Sequence, residues 1–161
     1  MRAKRSADGE AEDWTAATVE ATAVGLLARR EHSRAELVRK LGERGVPAEL
    51  IEAVLGSLAA RNLQSDARYA EALVTSRIGR GQGPVRIRRE LAERGVAAAE
   101  IDAAFQAADA DWFRLARETR RRRFGADLPG EWKERVRQSR FLEYRGFGSE
   151  QIRYALGGDD D

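Results

Sequence analysis

Apolar and polar residues alternate along this chain with the period of an α-helix. Leu37 and Leu41 lie one helical turn apart and define a first apolar stripe. A second stripe follows Pro47 and contains Leu50, Ile51, Val54, Leu55 and Leu58. Strand-like alternation of Val, Ile and Thr is missing, while Ala, Leu, Glu and Arg, which favour helices, dominate the sequence. The pattern predicts an all-α protein.

Residues that begin and end helices flank these stripes. Ser33 and Glu36 have the spacing of a capping box, in which each side chain accepts a hydrogen bond from a free backbone amide. Gly45 follows the first stripe, where glycine adopts the left-handed conformation that ends a helix. Pro47 suits the first turn of the next helix. Together these residues predict two short helices joined by a tight corner.

The corner recurs three times. Leu41–Val46 reads LGERGV, Leu91–Val96 reads LAERGV and Leu142–Phe147 reads LEYRGF, at offsets of 50 and 51 residues. Each copy consists of a helix, an Arg-Gly end, a bulky apolar residue and a second helix, and a longer helix precedes it. A period of this length is typical of tandem structural repeats.

We therefore predict three tandem three-helix repeats that form an elongated, curved array. The first repeat spans 15–62, with helices at 15–30, 34–44 and 48–60. The second spans 66–108, with helices at 66–79, 84–94 and 98–107. The third spans 109–157, with helices at 109–124, 130–145 and 149–156. We expect residues 1–13 to be disordered and residues 158–161 to form an acidic tail.

Composition argues against an enzyme. The chain has no Cys and a single His, which removes disulfides, thiolate zinc sites and His-rich metal centres. We find no catalytic constellation of residues, no metal-binding spacing and no sign of a cofactor. The uncharged apolar stretches are shorter than the roughly 20 residues that a bilayer requires, and the basic N-terminal residues precede no apolar segment. We expect a cytoplasmic, monomeric protein without a membrane partner.

The positive charge is concentrated in one part of the chain. The net charge is only +2, yet residues 1–65 are neutral and residues 66–158 carry +5. Such an excess is typical of proteins with an anionic partner, although the abundance of Arg can also reflect genomic base composition.

The candidate partner-binding residues lie in three groups. They are Arg80, Arg86, Arg88 and Arg89; Arg120, Arg121, Arg122 and Arg123; and Lys133, Arg137 and Arg140. Four consecutive arginines spread around a helix and cannot all face one surface, so part of the second group is expected to be a solvated helix end.

Structural roles, without a partner contact, explain other notable residues of the chain. The glycines of the 81–84 segment fit a tight connector better than a phosphate-binding loop, because no strand precedes them. Trp132, Val136 and Phe141 are expected in the core rather than as stacking platforms for bases. His32 precedes the Ser33 cap, and we expect it to have a surface or capping role.

Long ordered stretches carry a family resemblance. The central ones are Asp66–Ala70 (DARYA), Ser76-Arg77 and Gly81–Val96 (GQGPVRIRRELAERGV), and the outer ones are Leu26–Leu37 (LLARREHSRAEL), Lys40-Leu41 and Arg140–Phe147 (RFLEYRGF). With these segments the chain resembles the RecX family, bacterial regulators of the RecA recombinase, from about Val24 to Leu156.

The resemblance implies a non-enzymatic inhibitor that binds the RecA–DNA filament. It implies limits on filament growth, ATP hydrolysis, strand exchange and the co-protease activity of RecA in the SOS response. DNA, single-stranded or double-stranded, would be a secondary contact. The alternative is a general helical-repeat protein that binds DNA through phosphate contacts, for which RecA is incidental.

Overall fold

The computed structural model describes residues 13–158, and within that range the chain forms nine α-helices and no strand. The helices are α1 (Ala16–Arg29), α2 (Arg34–Glu43), α3 (Ala48–Ala60), α4 (Asp66–Gly79), α5 (Pro84–Glu93), α6 (Ala98–Ala108), α7 (Trp112–Phe124), α8 (Trp132–Tyr144) and α9 (Ser149–Ala155). The expected disordered segment and acidic tail fall almost wholly on residues 1–12 and 159–161, outside the described residues.

The predicted helices correspond one to one with the observed ones. The largest difference is at α7, which begins at Trp112 instead of residue 109. Asp109 has a left-handed backbone with φ of 44° and ends α6, and the Asp111 carboxylate then accepts a hydrogen bond from the Arg114 amide at 3.0 Å. An N-cap of this kind fixes the start of the helix. The predicted capping box is also present, since Ser33 and Glu36 each accept from the other's amide at 3.1 Å.

The three Arg-Gly corners have the same backbone. Gly45, Gly95 and Gly146 have φ values of 85°, 77° and 96°. After each glycine the next amide donates to the carbonyl oxygen of the leucine that opens the motif, at 3.1 Å in all three copies. This is the helix ending that a left-handed glycine allows, so the recurring motif marks a recurring turn.

Each group of three helices encloses its own apolar cluster. Leu37, Leu41 and Leu55 are among the residues that fill the first cluster, Ile87 and Leu91 belong to the second, and Leu142 belongs to the third. The fold-class prediction of an all-α protein with three three-helix repeats is therefore confirmed. By contacts the chain divides into two compact units, one ending at Ser65 and one beginning at Asp66.

Within the second unit, two repeats join backbone to backbone. The Gly83 amide donates to the Arg145 carbonyl at 2.8 Å, and the Val85 amide donates to the Gly146 carbonyl at 2.9 Å. A Cβ atom on Gly83 would lie 2.4 Å from the Gly146 oxygen, and one on Gly146 would lie 2.2 Å from the Arg86 Cβ. The start of α5 is thereby fixed against the end of α8.

His32 corrects an expectation in the first unit. It is only 2% exposed, so the expected surface role is wrong, whereas its contact with the carbonyl of Arg30, the C-cap residue of α1, agrees with the expected capping role. Its Nδ1 lies 3.1 Å from the Arg30 carbonyl, which can only accept, so Nδ1 carries the proton and Nε2 accepts from the Lys40 ammonium at 3.1 Å. Burial lowers the pKa of His32, and the two neighbouring cations add to the effect.

Candidate partner-binding surface

The arginines at the start of α5 differ in how far internal contacts occupy them. Arg88 pairs with Asp102 at 2.7 Å and lies 4.3 Å above the Phe105 ring. Arg86 is half-buried, lies 5.4 Å from the centre of the Tyr144 ring and donates to the Tyr144 carbonyl at 3.5 Å. Arg89 is exposed. Of these three side chains, Arg89 is therefore the one that is most available to a partner.

Arg80 sits at the end of α4 and is also exposed. Its carbonyl accepts a hydrogen bond from Arg145 at 3.0 Å, which ties this connector to the third repeat. The neighbouring Arg77 is not available, because its Nε donates to both oxygens of Glu90 at 3.1 Å. This contact lowers the pKa of Glu90. Structural contacts thus hold the connector that follows α4, while the Arg80 side chain at its start stays exposed.

The four consecutive arginines of α7 lie on different faces of the helix, and one of them lies in the core. Arg121, Arg122 and Arg123 are exposed, whereas Arg120 is 1% exposed. Arg120 follows the buried Ala116 by four residues and therefore lies on the same inward face. The expectation that Arg120 belongs to the basic surface is wrong for this reason.

The buried guanidinium of Arg120 holds the α7–α8 loop. It donates to the Asp127 carbonyl at 3.1 Å, to the Ala126 carbonyl at 3.4 Å and to Gln138 Oε1 at 3.3 Å. The Gln138 amide nitrogen donates in turn to Glu134 at 3.1 Å. Gln138 thus links the buried guanidinium of Arg120 to the carboxylate of Glu134. Burial lowers the pKa of Arg120, and the hydrogen bond from Gln138 contributes most to lowering the pKa of Glu134. Arg120 is thus a structural residue.

The three basic candidates on α8 are all exposed. Arg137 donates to Glu134 at 3.1 Å and lies 5.2 Å from the centre of the Phe124 ring, so part of its charge is compensated internally. The structure gives no hydrogen bond or ion pair to Lys133 or Arg140 among the residues it describes. These two side chains are free to contact a partner.

Trp132 is not a core residue, contrary to expectation. It is 79% exposed, while Val136 and Phe141 are partly buried. The buried positions of α8 are Gln138 and Leu142. At 3.6 residues per turn Trp132 lies about 120° around the helix from Gln138. The ring therefore projects outward at the first turn of α8.

Two of the predicted residues meet at a groove. Arg89 from α5 and Arg140 from α8 line an open groove of about 860 Å³, together with Trp132 and Arg153. A smaller groove of about 560 Å³ adjoins it and contains Arg86 and Arg89. Arg123 and Arg137 gather elsewhere, around the edge-to-face pair of Phe124 and Phe141. The predicted residues thus form two separate groups, with Arg89 and Arg140 at the groove and Arg123 and Arg137 at the aromatic pair.

Sequence reasoning missed Arg135 and Arg153 in this groove. Arg135 donates to the carbonyls of Pro129 and Leu156, at 3.4 and 3.3 Å, and is largely used internally. Arg153 is exposed on α9. The spacing of Ile152 and Ala155 on a short helix was a usable signal, since it predicts a buried stripe with Arg153 beside it.

Residues 13–158 contain no group of three or more His, Asp or Glu side chains that could hold a metal ion. No helix in this range is long and apolar enough to cross a membrane.

The fold and the basic groove define a class of all-α proteins built from three-helix repeats, and comparisons identify the family. Family models described as the first, second and third three-helix domains of RecX match residues 21–58, 65–104 and 109–156. The chain belongs to the RecX family.

Individual proteins agree with the family models. The chain is 48% identical over 143 residues to the regulatory protein RecX of Ectopseudomonas mendocina, covering 89% of this chain and 95% of that protein. It is 48% identical over 139 residues to the regulatory protein RecX of Halorhodospira halophila, covering 86% of each.

Solved structures of the same family share the fold. A crystal structure of regulatory protein RecX superposes with a TM-score of 0.74 at 23% identity, covering 89% of this chain and 73% of that one. The crystal structure of RecX from Lactobacillus salivarius superposes with a TM-score of 0.72 at 19% identity, covering 88% of this chain and 94% of that one.

Proposed function

We propose that this chain inhibits RecA by binding the RecA–DNA filament. In this role it limits filament growth, ATP hydrolysis, strand exchange and the co-protease activity of RecA, and it performs no catalysis itself. Membership of the RecX family supports the proposal, since its relatives are regulatory proteins. The three-repeat division at 15–62, 66–108 and 109–157, a monomeric state and a cytoplasmic location are part of the same proposal.

The exposed cations of the second unit support a contact with an anionic filament. Seven of the predicted residues are exposed and form no ion pair within the part of the chain that the structure describes: Arg80, Arg89, Arg121, Arg122, Arg123, Lys133 and Arg140. Arg86, Arg88 and Arg137 are already engaged by Tyr144, Asp102 and Glu134. Because unpaired arginines bind carboxylates or phosphates without breaking internal contacts, the first set supplies the main contacts.

The test is the DNA-dependent ATPase of the cognate RecA on single-stranded DNA. We expect this protein to inhibit it at molar ratios well below one per RecA protomer. The variant R89E/R121E/R140E should lose inhibition by at least tenfold, because three unpaired cations become anions. Circular dichroism should stay unchanged, since all three side chains are exposed. Full inhibition by the folded triple variant, or no inhibition by the parent protein, contradicts the proposal.

A general DNA-binding protein is the second candidate. It is favoured by the exposed run Arg121–Arg123 and by exposed Trp132 and Tyr144, which can stack on bases. A protein that acts through phosphate contacts loses affinity steeply as salt rises, because each neutralised phosphate releases a counterion. Inhibition of RecA only at concentrations that saturate naked DNA favours this candidate.

A further inference from the structure

The groove between α5 and the α8–α9 pair has a composition that distinguishes it from the rest of the basic surface. Its floor is apolar and includes the half-buried Val136 and the buried Ile152 and Leu156, and the exposed Val85 lies at its edge. Its rim carries Arg89, Arg140 and Arg153, and the acidic residue among its lining is Glu143. An apolar floor inside a basic rim is complementary to a ligand that is both apolar and acidic.

The three rim arginines are available for such a ligand. Arg89, Arg140 and Arg153 are exposed, and no ion pair engages them within the part of the chain that the structure describes. This distinguishes them from Arg77 and Arg88, which pair with Glu90 and Asp102. A free arginine forms charge-assisted hydrogen bonds with carboxylates in a bidentate geometry.

Trp132 adds a large apolar surface at the edge of the groove. With 79% of its surface exposed, it is the most exposed large apolar residue of the described chain. Tryptophan and arginine are the residue types most enriched among the energetic centres of protein–protein interfaces. Val85, which lies 48% exposed at the start of α5, extends the same apolar surface.

The groove is held in shape before any ligand arrives. The Val85 amide is bonded to the Gly146 carbonyl at 2.9 Å, and the Gly83 amide to the Arg145 carbonyl at 2.8 Å, so the α5 wall is fixed to the end of α8. A preformed site loses little conformational entropy when it binds.

From these observations we infer that the groove binds a protein segment with an apolar side chain flanked by carboxylates. The apolar side chain packs on Val85 and Trp132, and its carboxylates pair with Arg89, Arg140 and Arg153. A nucleic acid fits less well, because its bases can stack only on the Trp132 ring, whereas the aliphatic Val136, Ile152 and Leu156 offer them no stacking surface. This inference rests on the proposed function in one respect, namely that the partner carrying the segment is RecA.

The first test alters the apolar part of the groove. The variant V85E/W132S changes one exposed valine and one exposed large apolar residue, and V24E/L63S makes the matched change on the first unit, at residues that are 40% and 45% exposed. The probes are cognate RecA filaments on single-stranded DNA and a 30-nucleotide oligo(dT) alone. We expect V85E/W132S to bind filaments at least tenfold more weakly and V24E/L63S to bind within twofold of the parent.

The oligonucleotide separates the two kinds of ligand. Binding of oligo(dT) should change less than threefold in V85E/W132S, because the substitution adds a single negative charge. A proportional loss of filament and oligonucleotide binding shows that the groove holds nucleic acid and overturns the inference. Filament binding within twofold of the parent also overturns it, while the proposed inhibition of RecA still stands.

The second test alters the rim and guards against misfolding of the first variant. R89E/R140E reverses two rim cations, and R29E/R44E makes the same change at two exposed arginines of the first unit. We expect the rim variant to lose filament binding at least tenfold more than its control. Equal losses in both variants indicate a response to total charge and contradict a specific groove. A parent protein that fails to bind filaments contradicts both the groove and the proposed function.

Discussion

The first and third Arg-Gly corners have the same turn in different surroundings. Gly45 and Gly146 have similar φ values of 85° and 96°, and the same hydrogen bond closes both turns. A Cβ atom on Gly45 would meet no other atom within 4 Å, whereas one on Gly146 would lie 2.2 Å from the Arg86 Cβ. The recurring sequence therefore specifies the turn, and the neighbouring repeat decides whether that turn also serves as a joint.

The largest effect should come from alanine at these two glycines. G45A forces a left-handed alanine and should destabilise the first unit by about 1–2 kcal/mol. G146A adds a backbone collision with Arg86 and should destabilise the second unit by about 3 kcal/mol or more. Urea unfolding followed by far-ultraviolet circular dichroism measures both. Equal losses would show that the joint between α5 and α8 contributes nothing to stability.

A smaller effect should follow from removing the buried cation of the third repeat. R120A leaves the carbonyls of Ala126 and Asp127 without their donor and should lower the free energy of unfolding by about 2–3 kcal/mol. R121A, its exposed neighbour, should change it by less than about 0.5 kcal/mol. Thermal unfolding of the two variants compares them directly. If they unfold at the same temperature, Arg120 does not hold the α7–α8 loop.

The smallest effect should distinguish the two units by pH. The pKa of His32 lies below its ordinary value of 6.5 in the folded first unit, so the unfolded chain binds more protons as pH falls below 6.5. The first unit should therefore be most stable above pH 6.5 and lose stability below it.

The second unit should respond at lower pH. The pKa of Glu90 lies below its ordinary value of 4.5 because Arg77 donates to its carboxylate, so its contribution is complete above pH 4.5 and is lost as pH falls further. Hydrogen exchange measured helix by helix, with the intrinsic exchange rates corrected for pH, should show that lowering the pH from 7 to 5 reduces the free energy of opening more in α1–α3 than in α4–α9. The H32Q variant should remove the His32 titration, and loss of the difference in that variant would confirm its origin.

The helices and their turns could be predicted from the sequence because the signals that specify them are local. A capping serine, a left-handed glycine and an apolar stripe each act within about one turn of the residues they organise. The recurring corner made the three-helix repeats recognisable, and the positions of Leu41, Leu91 and Leu142 in three separate cores follow from it. Three arginine-rich segments were also visible, and most of their cations are exposed.

The remainder of the candidate surface depends on distant contacts. Arg120 can be buried because the carbonyl oxygens of Ala126 and Asp127 and Oε1 of Gln138 accept hydrogen bonds from its guanidinium. The sequence of the arginine run itself does not predict these partners. Trp132 is exposed because the apolar contacts of α8 begin farther along the helix. The groove needs Arg89 and Arg153 in one lining, which depends on the contacts between the start of α5 and the end of α8.

That joint has a consequence for the order of folding. The turns of each repeat close between near neighbours, but the bond from Arg145 to the Arg80 carbonyl connects residues 65 positions apart. Closing a loop of this length costs more conformational entropy than closing the turn of a single repeat, and this cost is met before the contact stabilises the chain. A nascent or partly unfolded chain can therefore contain all its helices and still have no groove. Slow docking of the third repeat onto the second would set the time at which the protein first becomes able to hold a partner.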